Sequence, residues 1–154
     1  MIYISREGKK KLEEKLIKIE KEIVETYRLM GESTKIDNDL RENPEYNELQ
    51  NKVSYKLPFE KKQVVEMLND SLIIEEQEFY KNFSGEEVII GSKVTLLYNG
   101  VEEEYFIVGQ GEEEPFENII SYSCDFAVSL INKKINDEYK YRNSNIKILK
   151  VEKF

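Results

Sequence analysis

At 154 residues the chain is long enough for one ordinary domain or two small ones. Its 40% hydrophobic and 35% charged residues are too apolar for a disordered chain and too charged for one compact core, which fits a small packed domain joined to an elongated helical part. A net charge of −8 makes the chain a poor candidate for independent binding to nucleic-acid phosphates, where affinity comes from cations displacing counterions, so work on nucleic acid would run through a protein partner.

The first third reads as helix. Residues 5–35 contain no proline, and Ser5 is a good N-cap, although Gly8 occupies the position where a capping box wants Glu. Leu12, Leu16, Ile19, Ile23, Thr26 and Met30 recur at alternating steps of four and three, which is a heptad seam. A helix of about 30 residues is roughly 45 Å long and cannot bury such a seam alone, so a partner helix is expected. Residues 31–42 break the pattern, with Ser33, Asp37, Asn38 and Asp39 favouring turns. A second helix starts after Asn43 as N-cap, with Pro44 in the first helical position and Glu45 complementing the dipole. Tyr46, Leu49 and Val53 continue the seam, a kink is expected at Pro58, and Val64, Met67 and Leu68 resume the apolar face. Two helices joined by a short polar connection predict an antiparallel coiled-coil hairpin.

After Asn69 and Asp70 the texture changes. Leu72, Ile73 and Ile74 form a short apolar run, and residues 75–85 are the expected linker. A strand over residues 88–97, the hairpin signal Asn99-Gly100 and a returning strand over 105–108 follow. Beyond an acidic loop at 109–117 the pattern predicts a strand at Ile119 and Ile120, a short helix over 126–132 and a final alternating strand over 146–151. The fold class is therefore α+β: an N-terminal helical hairpin over residues 1–76 and a small α+β domain over 77–154.

Chemistry is constrained by what is missing. Cys124 is the only cysteine and there is no histidine, which rules out an intrachain disulfide, a thiolate metal cage and imidazole-dependent catalysis. No run near the N-terminus is apolar enough for a signal peptide or membrane span, so the chain reads as cytoplasmic and free of membrane; the free protein is separately expected to be a monomer.

The segment Asn38-Asp39-Leu40-Arg41-Glu42-Asn43-Pro44-Glu45-Tyr46 resembles the tip motif of the GreA/GreB family, which typically reads Gly-Asp-Leu-x-Glu-Asn-Ala-Glu-Tyr. Asn38 replaces the usual Gly and Pro44 the usual Ala, both compatible with a turn entering a helix. Ser5, Gly8, Lys11, Leu12 and Leu16 are similar to the family's opening pattern. Gly91-Ser92-Lys93-Val94-Thr95-Leu96 and Tyr105-Phe106-Ile107-Val108-Gly109 resemble the first strands of its second domain. Ser121 leads into the segment from Cys124 and Asp125 to Lys133, which resembles a Ser-Pro-x-Ala-x-x-Leu-Leu-Gly-Lys signature. Here Cys124-Asp125 stands for Ser-Pro, Asn132 for Gly, and Asn136-Asp137 for Gly-Asp.

The resemblance implies a coiled-coil domain, an FKBP-like second domain, and docking at the secondary channel of bacterial RNA polymerase. It implies stimulated cleavage of the nascent RNA 3′ end in backtracked complexes, with the factor an accessory and not an enzyme by itself. Two-metal phosphodiester hydrolysis needs one ion to activate water and one to stabilise the leaving oxygen, and Mg²⁺ takes carboxylate oxygens. Asp39 and Glu42, spaced i and i+3, are then the carboxylates that position a second Mg²⁺ shared with the polymerase; no cofactor is expected on the chain alone. Arg41, Asn43, Pro44 and Tyr46 would support the tip. Ser121, Cys124, Asp125, Leu130 and Ile131 are the candidate docking residues. Taken without its motif, an acidic pair near a helix start is ordinary solvated surface. Two other readings fit the same scaffold: a polymerase-binding inhibitor without cleavage stimulation, and a coiled-coil adaptor that does not bind polymerase.

Overall fold

A computed structural model of the chain describes residues 1–36 and 42–154. The elements in order are β1 (Ile2–Ile4), α1 (Arg6–Ile36), α2 (Pro44–Asn51), a π-helical stretch (Lys52–Lys56), α3 (Leu57–Asp70), β2 (Ser71–Ile73), a 3₁₀ turn (Ile74–Glu76) and α4 (Glu78–Lys81). They continue with β3 (Ser92–Tyr98), β4 (Val101–Val108), a 3₁₀ turn (Pro115–Glu117), β5 (Ile119–Ser121), α5 (Asp125–Leu130), β6 (Glu138–Tyr141) and β7 (Ser144–Lys153). Contacts divide the chain into two units, Met1–Lys9 with Ser71–Phe154, and Lys10–Asp70. The sequence pattern groups residues 1–76 instead. The difference arises because β1 pairs in parallel with β2, Ile2 against Ser71 and Ile4 against Ile73, a long-range pairing that no local pattern announces.

The helical unit follows the heptad seam. Ile19, Leu57 and Val64 are buried, with Leu12, Leu16, Ile23 and Leu68 packed around them. Lys52 pairs with Glu22 at 2.6 Å and Lys61 with Glu20 at 2.9 Å. Partners on α1 and on the α2–α3 segment run in opposite order, as an antiparallel hairpin requires. At Pro58 the backbone responds with a π-helical stretch, not a break. Pro58 has no N–H and its ring crowds the preceding turn; just upstream the Leu57 N–H reaches back five residues to the Lys52 carbonyl.

In the other unit five strands are ordered β5-β4-β3-β7-β6, all antiparallel except β4–β5. Alternation along β3, β4 and β7 sends Val94, Leu96, Ile107, Ile146 and Ile148 into a core closed by Val88 and, from α5, Ala127 and Leu130. The Asn99-Gly100 turn works as its sequence predicts: φ is 51° and 85° at the two residues, and Tyr98 pairs with Val101 across it. β6 is absent from the sequence-based expectation. Its turn into β7, Arg142-Asn143, puts the left-handed φ of 53° on Arg142 and not on a Gly or Asn, so the usual signal is missing at that position. Among the described residues every buried side-chain nitrogen or oxygen has a partner, and no helix is long and apolar enough to cross a membrane.

Candidate functional site

The site expected at the hairpin connection is described from Glu42 onward; Asp39 and Arg41 lie outside the described residues. Glu42 is an exposed turn residue directly before the N-cap of α2. Asn43 is 5% exposed, and its Oδ1 accepts the Tyr46 N–H at 3.0 Å, the bond expected of an N-cap. Pro44 occupies the first helical position, where its missing N–H leaves no bond unmade, and Glu45 lies in the first turn.

The same Asn43 side chain does a second job. Its amide donates to the Ser33 hydroxyl at 3.0 Å and to the Ser33 carbonyl at 3.3 Å, bridging the last turn of α1 to the first of α2. Ser33 is 3% exposed, so this is a buried polar cross-link between the two helices, in place of an apolar layer. Sequence reasoning assigns Asn43 to support of the tip but reads Ser33 only as a turn former. The signal that could find it is position: Ser33 follows Met30 by three residues and so continues the seam.

No group of three or more Asp, Glu, Cys or His side chains that could hold a metal ion occurs among the described residues. Glu42 is a single exposed carboxylate, and one hard oxygen donor suits Mg²⁺ only where other ligands complete the shell.

The candidate docking residues differ in burial. Ser121 ends β5 and is 8% exposed, with its hydroxyl 2.9 Å from that of Ser123. Cys124 is the N-cap of α5, its sulfur accepting the Ala127 N–H at 3.4 Å. Asp125 follows in the first turn, exposed and 3.6 Å from Arg142. Ile131 is half-buried against the core, whereas Leu130 is fully buried and presents no side-chain surface to a partner. Phe126 is ringed by Tyr105 at 4.9 Å, Tyr141 at 5.0 Å and Tyr98 at 6.0 Å between centroids. Burial, and secondarily the Glu103 carboxylate that accepts its hydroxyl at 2.6 Å, pushes the Tyr105 pKa far above that of an ordinary phenol.

The departures from the signature have local explanations. Cys124 keeps a cap acceptor where serine is usual, though a weaker one. Asn132 and Asn136, standing where glycine is usual, have φ of 68° and 72°, the left-handed region that asparagine tolerates best among residues with a side chain.

Comparison with known proteins identifies relatives over most of the chain. A family model described as "Transcription elongation factor, GreA/GreB, C-term" matches residues 84–153. The transcription elongation factor GreA of Shouchella clausii is 36% identical over 141 residues, covering 88% of this chain and 84% of its own. That of Halalkalibacterium halodurans is 37% identical over 141 residues with the same coverage. Among solved structures, GreA factor homolog 1 of Thermus thermophilus is 15% identical, covering 98% of each chain at a TM-score of 0.42, a likeness too loose to add weight. With relatives this similar over most of its length, the chain belongs to the GreA/GreB family of transcription elongation factors.

Proposed function

We propose that this chain binds bacterial RNA polymerase at its secondary channel and stimulates cleavage of the nascent RNA 3′ end in backtracked complexes. Asp39 and Glu42 lend their carboxylates to the polymerase active centre, where they position a second Mg²⁺. When bound there, the ion supplies water activation and charge stabilisation for phosphodiester hydrolysis. The chain's own contribution is placement. Family membership supports the elongation role, and the buried Asn43–Ser33 cross-link is the observation that carries the tip assignment. It fixes the start of α2 immediately after the exposed Glu42, so that carboxylate emerges from a held backbone instead of a free loop.

The experiment uses backtracked elongation complexes with the full-length protein. The RNA shortens faster with the wild-type chain, and Asp39→Asn or Glu42→Gln removes the acceleration while the protein is still retained by purified polymerase. Undiminished cleavage with both variants would refute the role of the tip. Binding without cleavage by the unmodified chain would assign it to the inhibitors, and failure to bind at all would make it an adaptor.

A further inference from the structure

We propose that Glu112 is a positioning residue that ties the first turn of α1 to the loop after β4, supplying from a distance the carboxylate missing at Gly8. The functional consequence drawn below rests on the cleavage reading; the tie itself does not. The first N–H groups of a helix have no partner inside it. In a capping box, the side chain three residues after the N-cap accepts the N-cap's own N–H. Here that residue is Gly8, which has no side chain. The Ser5 hydroxyl takes the Gly8 N–H at 2.8 Å, and the other half of the box comes from 107 residues away. The Ser5 N–H donates to Glu112 Oε2 at 2.9 Å, and the Ser5 hydroxyl donates to Glu112 Oε1.

Two glycines leave room for this carboxylate. A Cβ on Gly8 would overlap it, and one on Gly109 would overlap both it and the β1 backbone, 2.6 Å from Ile4 Cα. The loop is drawn to the same place by its backbone, since the Gln110 N–H donates to the Tyr3 carbonyl at 2.9 Å. A second carboxylate, Glu75, accepts the Arg6 N–H at 3.1 Å from each oxygen, but from an exposed position. Both acids lie at the positive end of the α1 dipole, where negative charge is favoured. α1 is unbroken from Arg6 to Ile36, so the turn that Glu112 holds is the root of the helix leading to the tip segment.

The tie is tested with Glu112→Ala and with Gly8→Glu/Glu112→Ala, which returns a capping carboxylate to its local position without restoring the link to the loop. In Glu112→Ala, amide exchange at Ser5 and Gln110 should rise about tenfold or more, the loss expected for a charge-assisted bond. RNA shortening in backtracked complexes should slow while polymerase retention persists. In the double variant Ser5 should regain protection, whereas Gln110 and cleavage should not. Unchanged Ser5 exchange in Glu112→Ala overturns the tie. Recovery of Gln110 protection and cleavage in the double variant reduces Glu112 to a helix cap. Should the unmodified chain not shorten RNA at all, the cleavage reading falls, and exchange at Ser5 and Gln110 still decides the tie.

Discussion

The sheet unit and the helical unit hold together by different means. The sheet unit buries nine hydrophobic residues in one contiguous cluster, layered between β3, β4, β7 and α5. Among its described residues the helical unit buries four, of which Ile19, Leu57 and Val64 cluster, and supplements that thin seam with inter-helix ion pairs and the Asn43–Ser33 cross-link. A two-helix hairpin has one contact line and no third layer, so each seam residue is flanked by solvent. Carrying a motif on such a hairpin leaves most of its surface free, whereas a dense core uses up surface. The scaffold with the smaller core is thus the one that can present residues along its length.

This contrast can be broken by substitutions read separately in each unit, using amide exchange of the β-strands for the sheet and of α1 and α3 for the hairpin. The largest effect is expected in the sheet. Leu96→Ala removes a fully buried side chain from the densest packing and should destabilise that unit by about 3–4 kcal/mol. Leu57→Ala, 1% exposed but on the thin seam where neighbours can relax into the gap, should lower helical-unit stability by about 2–3 kcal/mol. A larger loss at Leu57 than at Leu96 by amide exchange would reverse the comparison. Asn43→Ala removes a cap and leaves Ser33 buried with a bond unmade. It should destabilise the hairpin by about 1–2 kcal/mol and lower cleavage stimulation more than polymerase retention.

The smallest effect belongs to the ion pairs. Lys52→Ala should alter stability by about 0.5 kcal/mol or less, because both partners are more than a third exposed and water screens the pair. Its sign follows from Glu22, whose pKa is lowered chiefly by the hydrogen bond from Lys52. The contribution is fully present above the ordinary value of 4.5 and is lost as pH falls through the lowered one, so the wild-type advantage over Lys52→Ala should vanish in acid. An advantage that grew in acid would show that Lys52 acts through packing of its stem.

Much of the site's framework is written locally. Asn43 with Pro44 and Glu45 is a helix start by residue type alone, Asn99-Gly100 is a hairpin by backbone preference, and the seam from Leu12 to Met30 demands a partner helix through its periodicity. Such features need only neighbours along the chain, whose side chains bias φ and ψ directly. What tertiary structure decided involves groups far apart in sequence. It joined the three-residue β1 to β2, added β6 against β7, placed Ser33 opposite Asn43, and brought Glu112 to the residue that caps α1. A short strand and an isolated acid carry almost no periodic signal. Their roles follow from the obligation of every buried N–H and C=O to find a partner, and the folded chain alone determines which partner is within reach.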